Sequence, residues 1–261
     1  MNILGRKSRL SALLDDISRR LSALDTGGEA AAMYGQIMRA RPDLAQKLGS
    51  AIQQTTANEA TRELVQRAIG AGIVMQIKEI PEQINALVAR INAPSVAPAL
   101  RCALASVLAY IAQRRDLIPD DAPGGYGYVD DSVLLTATML QLLEPTAANA
   151  ESIEKCQQKL AGLQSVLPEA VSSALQAAIQ GVILLFQTTS MLPAAVADTM
   201  TQQILDNPEG VTSPQAPPGW QMPNVLPRGA GHWSGGAYFE GNDVIIPGGP
   251  SMIDGQLYIP D

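Results

Sequence analysis

One histidine, two cysteines and ten aromatic residues are all that this 261-residue chain offers of the side chains that most often carry catalysis or staple a fold. His232, the sole histidine, lies beside Trp233 in a glycine-rich stretch with no GxSxG-type nucleophile pattern, so histidine triads and multi-histidine metal sites have a single candidate residue. That scarcity argues against a conventional hydrolase. Cys102 and Cys156 fall in separate helical-looking segments and provide neither a disulfide framework nor a CxxC knuckle, which fits a reducing compartment. No phosphate-binding GxxxxGK[ST] occurs, and Gly124-Gly125-Tyr126-Gly127 follows no strand and lacks dinucleotide-turn spacing. The longest mainly apolar runs, 103–112 and 182–186, fall short of the roughly 20 residues that span a bilayer. The N-terminus has basic residues but no apolar run behind them. The expectation is a soluble, cytoplasmic protein with no transmembrane segment.

Positive charge is also scarce, in one half only. Residues 1–115 hold fifteen Lys and Arg against nine Asp and Glu, a balance of +6, whereas residues 116–261 hold three against sixteen, a balance of −13. The basic residues are spread over several helical segments without interleaved aromatics, which argues against a nucleic-acid platform. Attraction between halves, or between copies, is the simpler use of such polarity. Peripheral contact with an anionic membrane through the basic N-terminal helices is a second use.

What the chain has in quantity is helical periodicity. Leu10, Leu14, Ile17, Leu21 and Leu24 alternate in steps of four and three, the mark of an amphipathic helix that faces a core or a partner, and Thr26-Gly27-Gly28 reads as its end. Runs through Met33 and Ile37, through Leu44, Leu48 and Ile52 behind Pro42, and through Val65, Ile69, Ile73 and Ile77 follow. Gly70 and Gly72 mark either a close helix contact or a break in the last of these. Pro81 and Pro98 open two more. Beyond 131 come helices ending at Glu144-Pro145, around Ile153 to Leu163, from near Pro168 through Val182, Ile183, Leu184 and Leu185, and from Pro193 to Leu205. The end of the Pro168 helix is apolar all round and is expected to be buried. No repeat at solenoid period is present. The fold class is all-α: an irregular helical bundle over residues 1–206.

Composition changes at Asn207. The last 55 residues hold ten of 22 glycines and nine of 18 prolines, which cannot propagate helix, yet they also hold half of the aromatics: Trp220, Trp233, Tyr238, Phe239 and Tyr258. Short strand-like runs at 237–239, 244–246 and 257–259 are separated by turn residues. Residues 207–261 are therefore expected to form an extended arm with one small β element, suited to docking on a partner or neighbouring subunit.

Between the chain's two electrical halves lies YIAQRRDLIPDDAPGGYGYVDD, residues 110–131, with five carboxylates in sixteen residues. Tyr110, Asp116-Leu117-Ile118-Pro119-Asp120, Pro123 and Gly127-Tyr128-Val129-Asp130-Asp131 resemble the signature of the YkvA-like family, domain of unknown function 1232, over about residues 98–143. Gln113-Arg114-Arg115 replaces the usual Ser-Pro-apolar step, and the loop before Gly127 is one residue longer. The resemblance implies a helix-loop-helix with a fixed loop, often near membranes, and no established activity. The residues themselves admit two accounts. In one, Arg114, Arg115, Pro119, Pro123 and Gly127 build a structural elbow, with Asp116 and Asp120 in turn hydrogen bonds and Asp130 capping a helix that starts near Asp131. In the other, Asp116, Asp120, Asp130 and Asp131 converge on Mg²⁺ or Ca²⁺. The first account leaves the protein without a catalytic residue or cofactor. The expected function is then a non-enzymatic interaction or assembly protein acting through its C-terminal arm, with a carboxylate-based metal-dependent enzyme and a peripheral membrane adaptor as alternatives.

Overall fold

The computed structural model describes residues 8–56, 58–113 and 117–210, together with the backbone of four short strands between 238 and 258. Up to Gly210 the described residues are all-α, as periodicity predicts. The helices group into two compact units, each assembled from separated stretches of chain.

One unit contains α1 (Arg9–Ala23), α5 (Ile80–Asn92), α6 (Pro98–Ile111), most of α9 (Glu169–Ser190) and α10 (Ala194–Asp206). The α1 seam is buried at Leu10, Leu14, Ile17 and Leu21, while Asp16 on its outer face pairs with Arg19 and Arg20. Around α6, α5 contributes Ile80, Ile84, Leu87 and Ile91, and α10 lays down Ala197, Thr201 and Leu205, one stripe at helical spacing. Arg101 holds Asp198 at 3.1 Å beside that stripe. After α10 the chain turns through Pro208–Gly210, with Pro208 buried and Glu209 paired to Arg9 at 2.6 Å.

The other unit contains α2 (Thr26–Ala40), α3 (Pro42–Thr55), α4 (Glu59–Ile77), a 3-10 turn (Pro123–Tyr128), α7 (Val129–Leu142) and α8 (Ala150–Ser165). Its centre is the α2 and α4 pair, where Ala30, Met33 and Ile37 meet Val65, Ile73, Val74 and Ile77. Gly70 marks close approach and not a break: a Cβ there would overlap Ala30 O, so α4 runs straight through it. Lys159 Nζ covers the C-terminal end of α4, where a cation is favoured, donating to Gln76 O at 3.0 Å and to Glu79 Oε2 at 2.7 Å, and Lys78 Nζ donates to Leu24 O at 2.8 Å.

Three expectations are corrected. Thr26-Gly27-Gly28 does not end a helix but begins α2, because the Asp25 carboxylate accepts from Gly27 N at 3.2 Å and Gly28 N at 3.0 Å. Asp130 is not a cap, for α7 starts at Val129 and places Asp130 inside its first turn. The end of α9 is not buried: Leu184 and Phe186 are 40% and 39% exposed. Taken whole, α9 is also long and apolar enough, by length and composition, to cross a membrane, although no unbroken apolar run within it is.

Beyond Gly210, the backbone of Tyr238–Glu240, Asp243–Ile245, Ser251–Ile253 and Gln256–Tyr258 pairs antiparallel in sequence order. The side chains of that stretch, including Trp220, His232, Trp233, Tyr238, Phe239 and Tyr258, lie outside the described residues.

Candidate functional site: a buried carboxylate pair at a glycine turn

The site in the α2/α4 unit begins at Ile118 and ends in the first turn of α7. Pro119 O accepts from Ala122 N at 2.9 Å, closing a turn, and Pro123 then starts the 3-10 turn at a position where its missing N–H costs nothing. Gly124 and Gly125 follow with φ of 73° and 75°. Only glycine adopts these angles without strain, and space excludes a side chain as well: a Cβ at Gly124 would sit 2.6 Å from Met33 Cα. The loop thus packs its backbone directly on α2. Gly127 repeats the device on the other side, where a Cβ would lie 2.7 Å from Asp120 Cα.

This tight turn drives the next residues inward. Asp130, Asp131 and Ser132 are all 0% exposed, whereas Asp120 is half-buried and Asp121 exposed. Burial pushes the Asp130 carboxyl up to about 7, the nearby charge of Asp120 adds to the rise, and the backbone N–H groups of Asp130, Ile118 and Asp131 pull against it. The N-terminal end of α7 also favours negative charge here. Asp120, Asp130 and Asp131 all have interaction partners. Such an arrangement can hold and release a proton near neutral pH. Among the described residues, no group of three or more His, Cys, Asp or Glu is arranged to hold a metal. Asp116, Arg114 and Arg115 lie outside them.

Tyr126 and Arg41 complete the surroundings, and sequence reasoning passed over both. Tyr126 is 5% exposed and its hydroxyl donates to Val166 O at 2.9 Å. Burial and the Asp130 charge push that phenol up to about 12, against a counter-pull from Arg41. Arg41 grips Asp43 with two hydrogen bonds, of 2.8 and 2.6 Å, and with Nη1 reaches Ser165 O at 2.6 Å and Leu167 O at 3.2 Å, the open carbonyls after α8. The Arg41 contact holds the Asp43 carboxyl well below the usual carboxylate range. The available signal was Arg41-Pro42-Asp43 at a helix start, where a carboxylate in the first turn fixes the preceding arginine.

The structure brings Asp120, Asp130, Pro119, Pro123 and Gly127 into one cluster, and it buries Asp131 beside them in the first turn of α7. No protein-family model, curated protein or solved structure matches the chain, so the YkvA-like resemblance stands on its residues alone.

Proposed function

We propose that this is a non-enzymatic interaction or assembly protein, a helical body whose C-terminal arm docks on a partner or a neighbouring subunit. One observation carries the reading: half of all aromatic residues lie in the last 55 residues, a segment too rich in glycine and proline to build a core of its own. The carboxylate site supports it from the other side. Its loop is fixed by backbone-on-backbone packing and its aspartates are already engaged, which suits a structural elbow better than an open catalytic centre. Removing residues 207–261 should leave circular-dichroism helicity and cooperative melting intact while abolishing self-association measured by light scattering, or retention of a co-purifying protein. A truncated chain that unfolds makes the arm part of the core and ends the proposal.

The metal-dependent alternative draws on the closeness of Asp120 and Asp130. Calorimetric titration with Mg²⁺, Mn²⁺ and Ca²⁺ tests it, and an absence of binding heat removes it.

A further inference from the structure

Helix α4 is apolar on two opposite sides. Val65, Gly70, Ile73, Val74 and Ile77 are buried, with Gly70 against Ala30 of α2. On the other side Leu64 is 60% and Met75 62% exposed. Leu64, Ala68, Ala71 and Met75 follow one another in steps of four, three and four, so at 3.6 residues per turn their Cα–Cβ directions fall within about 60° and make one stripe. Ala68 and Ala71 are half-buried, and a Cβ added to Gly72 beside them would meet no atom within 4 Å, so among the described residues nothing closes over the middle of the stripe. It carries no charge. Arg67 stands at its edge and is taken up by Glu63 at 2.6 Å. An exposed, uncharged seam at heptad spacing is the face that one helix offers to another.

The order of side chains in the stripe indicates which helix fits. Large, small, small, large reads the same from either end, with the same spacing, so a two-fold axis passing between Ala68 and Ala71 turns the stripe onto itself. Two copies laid antiparallel on that axis set Leu64 of each against the partner's Met75, and Ala68 against the partner's Ala71. The alanines bring the helix axes toward the near end of the usual spacing of about 8–10 Å, and the large side chains close both ends of the contact. Charge selects the same direction. In the antiparallel register Glu63 lies two residues, about 3 Å of rise, from the level of the partner's Lys78 and on the same side of the stripe. Lys78 Nζ carries three donors and gives one to Leu24 O, which leaves capacity for that carboxylate. A parallel pair would hold the two charges about 22 Å apart along the axis and set like ends of the helix dipoles together.

We propose that the outer face of α4 is a self-pairing surface, occupied by the same face of a second copy of this chain in antiparallel register about an axis between Ala68 and Ala71. The contact belongs to the helical body and is independent of the arm. A single helix face falls short of the roughly 800 Å² per partner of a lasting complex, so the pair is reversible and forms in concentrated solution or where copies are already gathered.

Single cysteines in the full-length protein test the register, in a Cys156→Ser background where Cys102 stays buried. Leu64→Cys and Met75→Cys chains are oxidised separately and as an equal mixture. The mixture should yield several-fold more disulfide-linked dimer than either chain alone, because unlike positions meet. Ala68→Glu, placed in both chains, should lower that yield several-fold with the circular-dichroism spectrum unchanged. Leu64→Cys chains that link to one another as readily as to Met75→Cys chains overturn the proposal, and so does a mixture with no preferred product at high protein concentration. A thiol at position 64 that resists alkylation in dilute, monomeric protein shows the face covered by its own chain, and flotation with phosphatidylcholine vesicles that Met75→Asp abolishes shows a lipid cover; each refutes self-pairing. Light scattering keeps the two readings apart: association without the mixed product removes the α4 contact and leaves the arm standing, whereas the mixed product in a protein whose association survives loss of residues 207–261 removes the arm and leaves α4.

Discussion

Helices α6 and α9 belong largely to the same unit and are similarly apolar, yet they meet opposite fates. Eleven of the fourteen residues of α6 are buried, against five of the twenty-two of α9. The difference lies in the neighbours. Residues of α5, α10 and the Pro208 turn pack on α6, and Arg101 pairs with Asp198 of α10, while the buried Ser106 hydroxyl donates to Cys102 O within the helix itself. Apolar composition expresses a demand for cover, and other segments decide whether the demand is met.

The sharpest way to break this comparison is to empty one side of it. Leu108→Ala in α6, where the side chain is 0% exposed, should cost about 2–5 kcal/mol in urea unfolding, because the surrounding helices cannot collapse into the space. A smaller but still large loss, about 2–3 kcal/mol, is expected for Gly124→Ala, which combines a positive φ with overlap against the Met33 backbone. Thermal melting measures it, and a near-neutral result would mean that the loop and α2 are not in contact. Asp130→Asn probes the carboxylate. Its carboxyl is raised, so the group contributes stability below its ordinary range and loses that contribution as pH climbs through about 7. The wild type should therefore lose on the order of 2 kcal/mol from this group between pH 5 and pH 8, and the asparagine variant should melt with a flatter pH profile. An unchanged slope removes the buried charge from the account. On the exposed side, Leu184→Ala, at a position 40% exposed, should move stability by no more than about 0.5 kcal/mol in the same urea unfolding.

Much of the helical layout was legible because helices advertise themselves by spacing: the α1 seam and the starts of α3, α5 and α6 at Pro42, Pro81 and Pro98 follow from it. What misled was local chemistry with two readings. A glycine pair stops a helix when its backbone turns left-handed, but at Gly27 and Gly28 the Asp25 carboxylate collects both N–H groups and starts one. At Asp130 a two-residue difference in the helix start turned an expected cap into a fully buried acid, because the compactness contributed by Gly124, Gly125 and Gly127 is invisible until the chain they pack against is known. For α9 the reading of burial failed on a long-range fact, the absence of enough described neighbours, which no window of sequence contains.

The scattering of each unit along the chain has a consequence during synthesis. Arg101 and Asp198, which meet across α6 and α10, are 97 residues apart, and Arg41 waits 124 residues for Ser165 O. At about 5–20 residues per second, the apolar faces of α6 stand open for roughly 5–20 s before α10 is made. Neither unit can be completed from a nascent chain that stops short of these late helices. Each unit is thus closed by segments made late, and its last contacts join distant parts of the chain.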